Sequence, residues 1–211
     1  MQTAIATEGL CKSIGQSLVL NDFYLSVKQG EFVCLFGPNG CGKSTLLQIL
    51  SGLDSFDSGS VQINGKPSSQ AKAGFVFQDY TASLFPWRNA RENVSWAIEC
   101  AGLKEKNADE YLDLVELSDS AQKFPYELSG GMRQRLAIAR ALAFEPDVLL
   151  LDEPFSALDY QTRISMEEEL LKIWAKQGIT TLCVSHDVDE AVFLADKVVV
   201  LTSKPCKVKG I

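Results

Sequence analysis

The residues with the most specific chemistry are Gly37-Pro38-Asn39-Gly40-Cys41-Gly42-Lys43-Ser44-Thr45. They fit G-x-x-x-x-G-K-[ST]. In that pattern the glycines let the backbone curl until successive N–H groups face an anion. A helix expected to begin near Ser44 would add the positive end of its dipole. Lys43 would then supply a mobile cation for the β- and γ-phosphates of a nucleoside triphosphate. The Ser44 hydroxyl is placed to ligate Mg²⁺. A flexible glycine turn is the plain alternative. The apolar run Glu31 to Phe36 before it and the helical run Ser44 to Leu50 after it argue for the phosphate cradle.

A second constellation is Val148-Leu149-Leu150-Leu151-Asp152-Glu153, an apolar run closed by two carboxylates. A buried strand is rigid, so a carboxylate at its C-terminal end reaches the crevice where α/β sheets bind ligands. Asp152 would hold Mg²⁺, directly or through water. Glu153 would orient and deprotonate an attacking water.

A phosphate cradle and an acidic strand are shared by kinases, GTPases and helicases. Leu128-Ser129-Gly130-Gly131-Met132-Arg133-Gln134-Arg135 decides between them. It amounts to a second anion site, with Ser129, Gly130 and Gly131 exposing N–H groups at a helix start. It resembles the signature of ATP-binding-cassette ATPases and lies shortly before the acidic strand, as theirs does. The resemblance covers nearly the whole chain. It implies that Gln78 is the Q-loop glutamine that senses Mg²⁺ and water. It makes Ser156-Ala157-Leu158-Asp159 the D-loop touching an opposite subunit, and His186 the switch histidine at the γ-phosphate.

The run Gln78-Asp79-Tyr80-Thr81-Ala82-Ser83-Leu84-Phe85-Pro86-Trp87 is similar to importer ATPases of the nitrate, sulfonate and taurine group. In that group a helical insertion docks the membrane subunit, which makes Phe85 and Trp87 either docking aromatics or core anchors. One departure is Ile14, where the family usually offers an aromatic ring to adenine. Another is the C-terminus, because relatives commonly continue past the position of Ile211; the chain is either short by nature or cut.

The resemblance implies two copies stacked head to tail. Each ATP, with Mg²⁺, would lie between Lys43 of one and Ser129 with Gly131 of the other. The implied partners are a second copy or homologous ATPase subunit, transmembrane permease subunits and, indirectly, a solute-binding protein. The implied place is peripheral, on the cytoplasmic face of the inner membrane. Rival readings are a non-transport cassette ATPase of repair or translation, and a silent interaction protein that keeps the fold. The first is opposed by the lack of a second cassette or coiled-coil insert, the second by intact Lys43, Asp152, Glu153 and His186.

Positioning these residues requires an α/β scaffold, and short apolar runs do alternate with helical periods. The expected fold is a RecA-like P-loop core with an N-terminal antiparallel β-subdomain and an inserted α-helical subdomain. Residues 1–82 and 135–211 would form the nucleotide-binding core, and 83–134 the helical part with the signature. Strands are expected over Phe23–Val27, Val61–Ile63, Gly74–Phe77, Val148–Leu151, Thr180–Ser185 and Lys197–Thr202. Helices are expected over Met132–Ala143, Asp159–Lys176 and Val188–Ala195. Asn64-Gly65 reads as a two-residue turn.

Composition agrees with this chemistry. A net charge of −7 and a pI near 4.8 disfavour nucleic acid, whose binding draws on a basic surplus. The six cysteines lie far apart and there is a single histidine, so metal-ligand spacing is absent. Reduced cysteines on the cytoplasmic side are expected. No apolar run approaches the roughly 18 residues of a membrane span, and the N-terminus lacks secretory features.

Overall fold

The structure, a computed structural model, describes residues 2–211. In chain order the first half contains β1 (Thr3–Ile14), β2 (Ser17–Lys28), β3 (Phe32–Phe36), α1 (Lys43–Leu50), β4 (Ser58–Ile63), β5 (Lys66–Pro67), β6 (Ala73–Val76), α2 (Tyr80–Ser83) and α3 (Ala90–Ala101). There follow α4 (Ala108–Leu114), α5 (Gly130–Ala143), β7 (Val148–Asp152), α6 (Tyr160–Gln177), β8 (Thr181–Ser185), α7 (Val188–Leu194), β9 (Lys197–Leu201) and β10 (Val208–Gly210). The chain forms two compact units, one of Met1–Ala73, Asp147–Glu153 and Gly178–Ile211, the other of Gly74–Pro146 and Pro154–Gln177.

The first unit carries the expected N-terminal antiparallel sheet, in the order β2-β1-β4-β5. In β2 the residues Phe23, Leu25 and Val27 are buried and their neighbours exposed, the alternation of a strand with one wet face. Asn64 and Gly65 both have positive φ (49° and 76°), the geometry that joins β4 to β5 in a tight hairpin.

The same unit holds the parallel strands β9, β3, β8 and β7 in that spatial order, with β10 antiparallel on the outer side of β9. Every residue of β7 and β8 is buried, which explains the apolar runs 148–151 and 182–184 within them. Cys34 and Cys183 face each other across β3 and β8. A hydrogen bond donated to Cys34 and full burial push the Cys183 thiol upward, so it acts as a small hydrophobe.

The second unit is mainly helical. Helix α3 begins in a capping box: the Asn89 side chain accepts from Glu92 N–H and the Glu92 carboxylate from Asn89 N–H. It ends at Gly102 in the left-handed conformation. Its buried face packs against α4 and α5, and α5 packs against α6.

Fully buried Asn93 has no place on a purely apolar face. Its amide nitrogen donates to the carbonyls of Phe85, Arg88 and Asn89 at 3.2, 2.9 and 3.0 Å, and its oxygen accepts from Phe85 N–H at 2.9 Å. One side chain thereby satisfies the backbone of Phe85 and the carbonyls of Arg88 and Asn89, bracketing the turn through Pro86 and Trp87.

Candidate functional site

In the first unit β3 runs directly into the glycine loop and α1. Gly40 (φ 70°) and Gly42 (φ 125°) adopt backbone conformations that side chains resist. At Gly42 a Cβ would also lie 2.8 Å from Cγ1 of Val19, so the loop needs glycine here twice over. The Lys43 ammonium is buried and donates to the carbonyls of Gly37 (2.8 Å) and Pro38 (3.1 Å). Its charge is therefore held over the loop by the loop itself. Cys41 is buried behind it. The hydrogen bond with Cys206 lowers the Cys41 thiol to about 6, with the Lys43 charge assisting against burial.

Ser44, in the first turn of α1, donates its hydroxyl to Oδ1 of Asp152 at 3.1 Å. Asp152 ends β7 and is 7% exposed. Burial pushes its carboxyl above the usual range and the Glu153 charge adds to this, while the Ser44 hydrogen bond and Lys43 oppose it. A buried carboxylate beside a hydroxyl is a pair of hard oxygen donors, the chemistry that suits Mg²⁺.

Glu153 takes a left-handed backbone conformation (φ 45°), and its N–H still donates to the Val184 carbonyl at 3.1 Å. Such a conformation costs a non-glycine residue free energy and turns the side chain out of the strand direction. Its Oε2 accepts from Nδ1 of His186 at 3.0 Å. His186 follows β8 on a turn tied by Ser185, whose hydroxyl accepts from Asp187 N–H and donates to buried Glu190 at 2.9 Å.

A cleft of about 210 Å³ opens on this group. Gly40, Gly42, Lys43, Ser44, Thr45 and Glu153 form its polar side, and Ile14, Val19 and Lys204 complete it. Ile14 is thus at the site, half-exposed. Gly37, Pro38, Asn39 and Cys41 belong to the same loop. Lys204 had no signal in the sequence beyond its charge, because the loop carrying it is far along the chain.

The second unit carries the remaining candidates. Ser129 is the N-cap of α5, its hydroxyl accepting from Met132 N–H at 3.3 Å, and it is exposed. Gly130 and Gly131 open the helix. Gly131 is buried, and a Cβ there would stand 3.1 Å from Cγ2 of Thr162 and 3.7 Å from Sδ of Met166. That glycine therefore also allows α5 to approach α6, a packing reason the tetrapeptide alone does not reveal. Gln134 is buried one turn on and donates to the Pro154 carbonyl, tying the signature helix to the stretch before the D-loop. Asp159 accepts from the N–H and hydroxyl of Thr162 at the start of α6, and Gln78 is exposed just after β6.

The two aromatics of the importer-like run lie with their ring centroids 5.5 Å apart but differ in exposure. Phe85 is half-buried, edge-on to Trp96 (4.8 Å between centroids), with the Arg140 guanidinium 5.4 Å from its ring. Trp87 is 71% exposed. Among the described residues no helix is long and apolar enough to cross a membrane.

Comparison with known proteins adds to this geometry. The family profile described as ABC transporter matches residues 20–156. The nitrate import ATP-binding protein NrtD of Synechococcus elongatus is 46% identical over 204 residues, covering 93% of this chain and 74% of that protein. The aliphatic sulfonates import ATP-binding protein SsuB of Bacillus subtilis is 47% identical over 196 residues, 92% of this chain and 76% of its own. A dimeric structure of the ATP-binding cassette MJ0796, in a post-hydrolysis state bound to ADP and Pi, superposes with a TM-score of 0.80 at 32% identity, covering 98% of this chain and 97% of that one.

Proposed function

The chain belongs to the ABC transporter family and is an ATP hydrolase of it, and we propose that it drives import of a small oxyanion, nitrate or a sulfonate, as one half of a head-to-tail dimer. The observation that carries the site is the convergence, in one compact unit, of Lys43, the Ser44–Asp152 pair and the Glu153–His186 pair. The choice of cargo is supported by the names of the relatives and by the Leu84-Phe85-Pro86-Trp87 run.

In this reading the glycine-loop N–H groups and Lys43 hold the β- and γ-phosphates. Ser44 and Asp152 would hold Mg²⁺, with Gln78 as a further contact, and the ion when bound would supply neutralisation of charge on the phosphate oxygens. Glu153 orients the attacking water and takes its proton. His186 steadies that carboxylate through Nδ1 and faces the γ-phosphate with the rest of its ring. The cradle of Ser129, Gly130 and Gly131 completes the site of a second copy, or of a homologous ATPase subunit, across the dimer. Trp87 offers the permease an exposed ring, and the work is done at the cytoplasmic face of the membrane.

Reconstitution tests the whole. Vesicles holding the permease, its solute-binding protein and this subunit should take up labelled nitrate or alkanesulfonate when ATP is inside. With Lys43→Ala uptake should stop. Uptake of neither anion by the active complex would overturn the cargo, and ATP-driven uptake with Lys43→Ala would overturn the site.

A further inference from the structure

The connection between β9 and β10 is a built loop rather than a loose one. Thr202 N–H donates to the Lys207 carbonyl at 2.9 Å, and the Thr202 hydroxyl donates to Pro205 O and accepts from Lys207 N–H. Its flank is tied to β2: Cys206 N–H donates to Val19 O at 2.8 Å, and Cys206 is buried against the Cys41 thiol. Val19 in turn packs against Gly42. At the tip of this loop, two residues from Cys206, Lys204 lines the cleft that also contains Ile14, Val19 and the glycine loop. Its side chain is exposed, and no hydrogen bond or ion pair with any described residue engages its ammonium.

A protein of net charge −7 that must hold a polyanion gains from each local cation. Lys43 is spent on the glycine-loop end of the cleft. Lys204 is carried on the loop that Cys206 ties to Val19, and it lines the cleft together with Val19 and Ile14. We propose that Lys204 is a nucleotide-binding residue, its ammonium pairing with the base-proximal phosphates common to ATP and ADP. This rests on reading the cleft as the nucleotide site. The loop is pre-formed by Thr202 and Cys206, so only the lysine side chain must order on binding.

The test is a charge series, Lys204→Arg, Lys204→Met and Lys204→Glu, titrated with fluorescent ATP and ADP and assayed for phosphate release. Lys204→Met should weaken both nucleotides by roughly two- to fivefold, the size of an exposed ion pair. Lys204→Glu should weaken them further, and Lys204→Arg should restore wild-type affinity. The loss should fall on KM, with kcat at saturating nucleotide little changed, and nucleotide-free melting should not move. Wild-type affinity in Lys204→Met, a loss unrelated to charge, or a loss confined to ATP would each overturn the assignment. Lys43→Ala is the control. If it binds ATP normally, the reading of the cleft fails; if it fails to bind while Lys204→Met is normal, only the role of Lys204 falls.

Discussion

The Ser44 hydroxyl and the Asp152 carboxylate are joined by a 3.1 Å hydrogen bond between the first turn of α1 and the end of β7. The bond brings together two hard oxygen donors, the candidate Mg²⁺ ligands, from residues 108 apart in the chain. It also gives a buried carboxylate, pushed upward by burial, a neutral hydroxyl donor that opposes that push.

Removing either oxygen should therefore separate nucleotide binding from metal use. Ser44→Ala and Asp152→Asn are expected to cut phosphate release at saturating MgATP by at least about a hundredfold, the scale of losing one preorganised electrostatic contact. Affinity for ATP in EDTA should change far less, because Lys43 and the glycine loop remain. Equal losses with and without Mg²⁺ would remove the pair from metal binding.

Glu153 invites a different experiment. Glu153→Gln keeps the shape and the contact with His186 but cannot take a proton, so turnover should fall by about 10²–10⁴. ATP should still bind, and light scattering should show an ATP-dependent dimer that persists. Hydrolysis at the wild-type rate would refute the role given to Glu153.

These candidate residues stand out in the sequence because each lies in a contiguous motif whose chemistry needs neighbours in the chain. Other features depend on contacts that no local pattern records. No local pattern marks strand β1, because Gly9 (φ 57°) sits where the register with β2 shifts, between Thr7 and Leu10, and this breaks the apolar alternation. The burial of Gly131 against α6 and the approach of Lys204 to the cleft join distant segments, and the latch of Asn93 reaches back eight residues onto the Phe85 backbone. The split between Phe85 and Trp87 is of this kind too. Two aromatics two residues apart look alike in sequence, and only packing tells the anchor from the exposed ring.

At Ile14 the cleft has an aliphatic side chain, half-exposed, in place of a ring. An aromatic partner for the base is worth about 0.5–1.5 kcal/mol beyond burial. Ile14→Tyr should accordingly tighten ATP by roughly two- to tenfold and raise its preference over ribose triphosphate. Calorimetric titration decides, and unchanged affinity would show that the base does not rest on this position.

Asp159 yields a pH test. Hydrogen bonds from the Thr162 hydroxyl and N–H hold its carboxyl below the usual range. A folded-state pKa below the unfolded one stabilises the protein above the unfolded value and is lost as pH falls through the folded value. Asp159→Ala should melt below wild type at neutral pH, and the gap should narrow progressively as the pH is taken below the ordinary Asp value of roughly 3.9. A gap that persists there would mean the effect is not the ionised cap.

Phe85 and Trp87 should respond in opposite ways. Phe85 is wedged against Trp96 and the Arg140 guanidinium, on a loop latched by Asn93. Its truncation to Ala should destabilise the protein by about 2 kcal/mol, less than for a fully buried ring because one side is wet. Trp87→Ala removes a ring that is 71% exposed and should leave stability within about 0.5 kcal/mol and ATP hydrolysis by the isolated subunit intact. What Trp87→Ala should lose is the pull-down of the permease and ATP-driven uptake in vesicles. Thermal melts separate the two variants first. Full transport by Trp87→Ala would move the docking surface elsewhere on the helical unit.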